Sequence, residues 1–452
     1  MRRFALLILL LAGCQSYEPL PLDEDAALAT WRERKPGDAA QYAAELSRRS
    51  ETPRAPFNAQ DGLGLEEAEA VALFFNPGLR VARLRAGVEL AAAEESGRWE
   101  DPELSVEGGW IIDSIPNPWF LAASISFTIP LSGRPGVEQD LAFAKYDAAR
   151  RQVVVQEWDV LVSLRRQWRE LELAREHLAL TRGYLLELDA LLEKARRLRE
   201  AGEISSLDQR LVEMERAAAR AERLSLEQAA AEAESALRET LGLHPEAPLA
   251  LVSSAPSVTP VAAGAEKRLR ANHTGLALRR STYETAEQEL RLEIRKQYPD
   301  LHIGPGYEID EGQSRITLGF GIPIPIINLN REGIARARAA RLAARAEFEA
   351  ELEGALHALA QAQQKARHAN ELRAQFLREV VPLADQQVAD ANALADAGEF
   401  DALDQLEVLS RRHETRVKIL EVLIAAARAQ DAVVALLGPA FKPQPDEQEK
   451  KE

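Results

Sequence analysis

The chain repeats itself at long range. Ala201-Gly202-Glu203-Ile204-Ser205-Ser206-Leu207-Asp208 returns as Ala397-Gly398-Glu399-Phe400-Asp401-Ala402-Leu403-Asp404, a displacement of 398 − 202 = 196 residues. Leu241-Gly242 returns as Leu437-Gly438 at the same spacing, and Pro102-Glu103-Leu104 returns as Pro299-Asp300-Leu301 (299 − 102 = 197). Phe127-Thr128-Ile129-Pro130-Leu131 returns as Phe320-Gly321-Ile322-Pro323-Ile324 (320 − 127 = 193), so the second copy has a shorter loop between these landmarks. Repeats of 20 to 50 residues stack into solenoids. A period near two hundred instead makes two pseudo-equivalent halves of one body, and whatever one half does geometrically is done twice.

Each half is dominated by long helical stretches. From Gly136 to Glu200 there is no proline and one interior glycine, Gly183. At the helical rise this predicts a rod of about 98 Å, far longer than a globular core requires. Leu164, Leu171, Leu178, Leu185 and Leu192 keep a strict seven-residue register, with Val160, Ala174, Leu188 and Ala195 on a neighbouring one. That is coiled-coil-like patterning, so the rod must lie against other long helices. The second copy runs from Gly333 to Asp396 with Pro382 as its breaker, where a kink is expected. After each Ala-Gly-Glu turn a further helix begins, with Leu207, Leu211, Met214, Ala218 and Ala221 in one stripe and Val417, Leu420, Ile424 and Ala427 in the other. Each half therefore ends in an antiparallel helical hairpin with a Gly-containing tip, and Ser205 and Asp401 are placed to cap the return helices.

Between these rods the period changes from 3.6 to 2. Leu121, Ala123, Ile125, Phe127 and Ile129 alternate with small or polar residues, as do Leu301, Ile303, Tyr307 and Ile309, then Ile316, Leu318, Phe320 and Ile322. Glu103 to Ile112 keeps the phase more loosely, so two β-hairpins with strands of about ten residues are predicted. That is the length of a transmembrane β-strand. Trp110, Trp119, Phe120, Tyr298 and Tyr307 stand where an interfacial aromatic girdle is expected. The competing reading is a sheet half-buried against the helices, which alternates in the same way. Four strands cannot close a barrel and lipid does not tolerate an open sheet edge. Spanning therefore demands several copies, and two, three or four would give eight, twelve or sixteen strands.

The N-terminus begins Arg2-Arg3, an apolar run from Phe4 to Leu11, then Ala12-Gly13-Cys14. It reads as an export signal too short to span a membrane. Leu11-Ala12-Gly13-Cys14 further resembles a bacterial lipoprotein box, with Cys14, the single cysteine, as lipid anchor and Gln15 after it directing the chain to the outer membrane. Removing residues 1–13 leaves 54 basic against 72 acidic residues, a net charge of −18, which argues against a nucleic-acid partner. Seven scattered histidines and one remaining methionine predict no metal site. No Walker loop, Gly-x-Ser-x-Gly elbow or His-Glu-x-x-His helix occurs, so neither catalytic residues nor a cofactor are expected beyond the N-terminal lipid. The boundaries read as 1–13 signal, 14–63 lipid-anchored segment, 64–243 first repeat, 244–264 linker, 265–438 second repeat and 439–452 polar tail.

The duplicated plan, the lipoprotein box, the hairpins ending in Phe-Thr-Ile-Pro-Leu and Phe-Gly-Ile-Pro-Ile, and the segment from Pro325 to Ala335 together resemble the TolC-type outer-membrane efflux family, in its lipoprotein branch. The resemblance implies a mixed, mainly α fold. Three copies would complete a twelve-stranded transmembrane β-barrel continued by a long α-helical barrel, the exit duct of a tripartite efflux system in the outer membrane of a Gram-negative bacterium, with a large periplasmic part. It implies partners: a homotrimer, a periplasmic adaptor protein, an inner-membrane transporter and outer-membrane lipid. The adaptor-contacting tips would be Ala201, Gly202 and Glu203 with Ala397, Gly398 and Glu399. The periplasmic gate would fall on Asp189 and its repeat-mate Asp385, with Asp390 and Asp396 behind. The rival from another class is a lipid-anchored coiled-coil scaffold or adaptor without a pore.

Overall fold

The structure, a computed structural model, describes residues 17–49, 56–59, 61–110, 112, 118–252, 264–310, 312–396 and 402–439. Two short helices, α1 (Glu24–Arg32) and α2 (Ala40–Arg49), precede α3 (Leu65–Phe75) and α4 (Pro77–Glu95). Strands β1 (Glu103–Trp110) and β2 (Trp119–Ile129) lead into α5 (Arg134–Glu200), which turns into α6 (Ser206–Thr240). The second half runs α7 (Ala265–Asn272), α8 (Thr274–Arg295), β3 (Leu301–Asp310), β4 (Gln313–Gly321), α9 (Arg331–Gln375), α10 (Val381–Asp396) and α11 (Ala402–Leu437).

Helix α5, 67 residues long, is the backbone of the molecule, packing against α3, α4, α6, α8 and α11. All five leucines of the predicted heptad are buried along it, as are Ala174, Leu188 and Ala195. Each fully buried leucine contributes roughly 1.5–3 kcal/mol, so the register alone explains why a rod this long stays helical. The α6 stripe Leu207, Leu211, Met214, Ala218 and Ala221 lies exposed, Leu207 at 64% and Met214 at 69%. The hairpin seam is made instead by Gln209, Val212, Ala219 and Leu237.

Equivalent junctions recur in the two halves. Asn76 caps α4 by accepting from the Leu79 amide, and His273 caps α8 by accepting from the Leu276 amide, with Leu79 and Leu276 both buried. After α6 and after α11 the chain turns at Gly242 (φ 69°) and Gly438 (φ 74°). A Cβ would meet the Phe75 carbonyl oxygen at 2.4 Å in the first case and the Asn272 carbonyl oxygen at 2.1 Å in the second. Only glycine satisfies both the left-handed φ and that approach.

Pro382 does not simply kink the second rod. It sits just after a π-helical turn, Phe376–Val380, which absorbs the hydrogen bond and the space that a proline takes from the residue four before it.

The four strands form one antiparallel sheet in the order β1-β2-β3-β4. The two repeats meet at its centre, where Leu121 pairs with Ile309 and Phe127 with Ile303. Edges β1 and β4 have one side unpaired among the described residues. No described helix packs on the sheet, and among the described residues no helix is long and apolar enough to cross a membrane.

Candidate functional site

The register gives the sheet two unlike faces. Leu104 and Val106 of β1 stand opposite Ile125 and Ala123 of β2. Ile303, Pro305 and Tyr307 of β3 stand opposite Phe320, Leu318 and Ile316 of β4. The result is one continuous apolar surface that no described residue covers, with Leu104 67% exposed, Leu318 56% and Ile316 89%. The opposite face carries Glu103, Ser105 and Glu107, then Ser124, Ser126 and Thr128, then His302, Glu308 and Asp310, then Arg315 and Thr317. A soluble sheet packed on helices would show its apolar face buried; this one does not.

Trp110 and Trp119 pair at the hairpin end with ring centroids 4.3 Å apart, nearly perpendicular, and Tyr307 donates its hydroxyl to Ser314 Oγ at 2.8 Å. Phe120 departs from the expected girdle. It lies on the polar face, opposite Gly109, where its ring occupies the space a Cβ would need.

Helix α5 is anchored where it leaves the sheet. Arg134 reaches Glu100 at 3.1 Å, Glu138 at 3.3 Å and Asp300 at 3.3 Å, tying the start of the rod to the segment just before β1 and to Asp300 of the second Pro-Asp-Leu landmark. In the second copy Asn330, itself left-handed (φ 49°), donates Nδ2 to the Glu293 carbonyl at 2.9 Å and to Glu293 Oε2 at 2.6 Å. Burial pushes the Glu293 carboxyl up, but hydrogen bonds from Lys296 and Asn330 outweigh it and leave it below its ordinary range.

At the far end of the rod the first tip is well defined. Gly202 (φ 78°) follows the last helical turn, with Glu203 N–H donating to the Leu198 carbonyl at 2.9 Å. Ser205 Oγ accepts from the Leu207 and Asp208 amides, and Asp208 returns a bond to the Ser205 amide at 2.8 Å. Ala201, Gly202 and Glu203 are exposed. Beneath them Ile204 packs with Leu191, Leu192, Ala195 and Val212 onto Ala402, the first residue of α11, so the base of the first tip meets the start of that helix. Ala397, Gly398, Glu399 and Asp401 lie outside the described residues, as does Cys14.

The candidate gate carboxylates are not equivalent. Asp189 forms an ion pair with Arg216 of α6. Asp385 and Asp390 lie exposed on α10, with no ion pair among the described residues. Asp396 ends α10, its side chain outside the described part.

One cluster contradicts the expectation of scattered histidines. His177 on α5, Glu222 on α6 and His413 on α11 converge so that one ligand atom from each lies within 4.8 Å of the others. His177 Nε2 is 3.3 Å from Glu222 Oε1, and His413 Nε2 is 3.7 Å from Glu222 Oε2. The Tyr184 ring stacks on His413 at 4.4 Å and donates its hydroxyl to Glu215 at 2.8 Å. Burial, with that hydrogen bond to a carboxylate, pushes the Tyr184 phenol well above its usual range. Burial likewise lowers His413, aided by the facing His177 and opposed by Glu222. Spacings of 222 − 177 = 45 and 413 − 222 = 191 residues give no local motif, so sequence reasoning could not find it.

No protein-family profile matches the chain, and no curated protein matches it in sequence. Solved structures do match in shape. CusC, described with transmembrane channel formation, superposes with a TM-score of 0.70 at 15% identity, covering 86% of this chain and 96% of its own. The outer-membrane channel OprN gives 0.71 at 16% identity over 86% and 96%. The open-state MtrE outer-membrane channel of Neisseria gonorrhoeae gives 0.69 at 15% over 83% and 89%. The chain thus has the fold of these channels over nearly its whole length, the fold implied by the TolC-type resemblance.

Proposed function

We propose that this protein is the outer-membrane channel of a tripartite efflux system, a passive duct that crosses the outer membrane and extends through the periplasm. The observation that carries the reading is the four-stranded sheet with an uncovered apolar face and two unpaired edges. In water such a face is a liability and such edges invite pairing. In lipid the face is satisfied, and the edges are satisfied when β4 of one copy meets β1 of the next. Three copies make a twelve-stranded barrel whose polar face lines a lumen, wide enough to conduct where eight strands would be filled by side chains. The exposed stripe Leu207, Leu211 and Met214 of α6 is then covered by a neighbouring copy, extending the barrel into the helical region.

In this reading Cys14 carries the lipid anchor, Ala201 to Glu203 and Ala397 to Glu399 meet a periplasmic adaptor linked to an inner-membrane transporter, and Asp385 with Asp390 and Asp396 lines the narrow end. The likeness in fold to known outer-membrane channels supports it. A pore-free scaffold has no use for an apolar face on every strand.

Planar-bilayer recording of the purified, detergent-extracted protein tests the proposal. Discrete conductance steps are expected, smaller and less frequent when Asp385 is replaced by Asn, because symmetry-related carboxylates attract cations and repel one another on closure. A protein that stays a single water-soluble copy once Cys14 is replaced, and gives no steps with or without the Asp385 change, overturns it.

A further inference from the structure

We propose that His177, Glu222 and His413 form a binding site for one divalent transition cation of the Zn2+ type, which pins α11 to the α5–α6 hairpin. Zn2+ takes imidazole nitrogen at about 2.0–2.1 Å and carboxylate oxygen at about 2.0–2.2 Å, so neighbouring ligand atoms in a tetrahedral shell stand roughly 3.3–3.5 Å apart. His177 Nε2 stands 3.3 Å from Glu222 Oε1 and His413 Nε2 3.7 Å from Glu222 Oε2, so the two imidazoles face the two oxygens of one carboxylate at close to that spacing, and one ligand atom from each residue lies within 4.8 Å of the others. Both separations exceed the usual N–H···O range of about 2.7–3.2 Å, and His177 Nε2, buried, finds no hydrogen bond among the described residues. Direct hydrogen bonding therefore accounts poorly for three polar side chains aimed at one point, whereas a cation accounts for all three.

Two imidazoles and a carboxylate leave the fourth position to water, a donor set suited to Zn2+ and its neighbours in the transition series. The surroundings hold the ligands in place. His413 and His177 are mostly buried, with side-chain exposures of 11% and 19%, and the Tyr184 ring fixes the plane of His413 while its own hydroxyl is held by Glu215. The site spans both halves of the duplication but occurs once, with no counterpart at the repeat-mates. At the 196-residue displacement His177 corresponds to Arg373, Glu222 to Lys418, and His413 to Ala217. A structural necessity of the repeated hairpin would occur in both halves.

The site lies 201 − 177 = 24 residues up α5 from the tip, about 36 Å along the helix. There a cation would join the first hairpin to the return helix of the second, which otherwise touches α6 only lightly.

The test uses the full-length, tag-free protein in detergent, titrated with Zn2+ against a chromophoric chelator. One Zn2+ per chain is expected, and Co2+ in its place should show the intense visible bands of four-coordinate geometry. Glu222→Gln and His413→Gln should each weaken Zn2+ by more than roughly 100-fold, beyond the loss expected for a merely supporting side chain. His302→Gln, in β3, should leave it unchanged. Zn2+ should raise the thermal midpoint of the native protein and of His302→Gln but not of the cluster variants. Far-UV circular dichroism identifies any variant that has lost its helices, and Glu222→Gln, nearly isosteric, provides the reading if His413→Gln fails to fold. Absence of Zn2+ binding by the native chain overturns the site, as does equal binding by the native chain and a folded cluster variant. Neither result bears on conductance, so the channel reading stands or falls separately.

Discussion

Replacing Leu318 by arginine sets the membrane reading of the sheet against the soluble one. Strand β4 spans nine residues, Gln313–Gly321. At about 3.4 Å per residue and a tilt near 40° its height is roughly 23 Å, close to the ~25 Å apolar band of an outer-membrane barrel. Leu318 is one residue past the midpoint, Thr317, and so lies within roughly 3 Å of the midplane. It belongs to the apolar face, opposite Pro305, whereas Thr317 points to the polar face opposite Gly306. Arginine at the lipid midplane costs roughly 2–4 kcal/mol per chain, while a lumen substitution costs little. Leu318→Arg should therefore destabilise folding into phosphatidylcholine vesicles by that amount, and Thr317→Arg, near the Glu308 and Asp310 carboxylates, by less than about 1 kcal/mol. The free energies come from urea titration of vesicle-inserted protein at fixed chain concentration, followed by tryptophan fluorescence. Equal effects at the two positions would refute the assignment of faces. So would a harmless Leu318→Arg, because a water-exposed sheet gains solubility from the same change.

Other consequences are local. Arg169 is buried between Glu172 at 2.9 Å and Asp431 at 3.1 Å, and Trp168 also donates to Glu172. Glu172→Leu should therefore cost roughly 1–3 kcal/mol, because Asp431 still pairs the buried guanidinium while one of its hydrogen bonds and that of Trp168 lose their acceptor, read as a lowered urea midpoint. The folded-state pKa of His413 is depressed, so the unfolded chain takes up a proton first as pH falls below about 6.5. That contribution to stability is present above this pH and lost below it, against facing groups His177, Glu222, Glu215 and Tyr184. His413→Gln should flatten the metal-free thermal midpoint between pH 7 and pH 5, and an unchanged slope would refute the assignment. The Glu234 carboxyl is raised by burial but held below its ordinary range by Arg175 and Arg238, so its contribution is lost only at more acid pH, below about 4.3. On the proposal that Asp385 lines the narrow end, Asp385→Asn should shift the reversal potential toward lower cation preference, whereas Asp189→Asn should lower stability and leave selectivity alone, because Arg216 already neutralises it.

What was legible in the sequence is what a single chain satisfies by itself. The heptad of α5 could be read because protein surrounds that rod within one copy, so every apolar position on the register finds a partner. The strand phase could be read because alternation is a property of the backbone, with Phe120 the exception made possible by the bare Gly109 across from it. The stripe of α6 was legible as a helical face, but not that α5 leaves it exposed. Periodicity reports that a face avoids water, and it carries no label for which molecule covers it.

The duplication sets what distinguishes this chain against what it inherits from its architecture. The turns after α6 and α11, the caps before α4 and α8, and the paired hairpins of the sheet recur because each is a backbone requirement that the unit meets wherever it is placed. Side-chain chemistry is free of that requirement and diverges between the copies. Asp189 is neutralised while Asp385 is open to solvent, and the His177–Glu222–His413 cluster has arginine, lysine and alanine at its mates. Departures from the repeat, more than its shared features, are therefore where the proposed duct would acquire a gate on one side and the proposed cation site a fastening on the other. A variant that restores symmetry, such as Arg216→Ala freeing Asp189, should make the first hairpin electrostatically resemble the second. A change in cation preference with the oligomer intact would show that the asymmetry, and not the shared fold, tunes the narrow end.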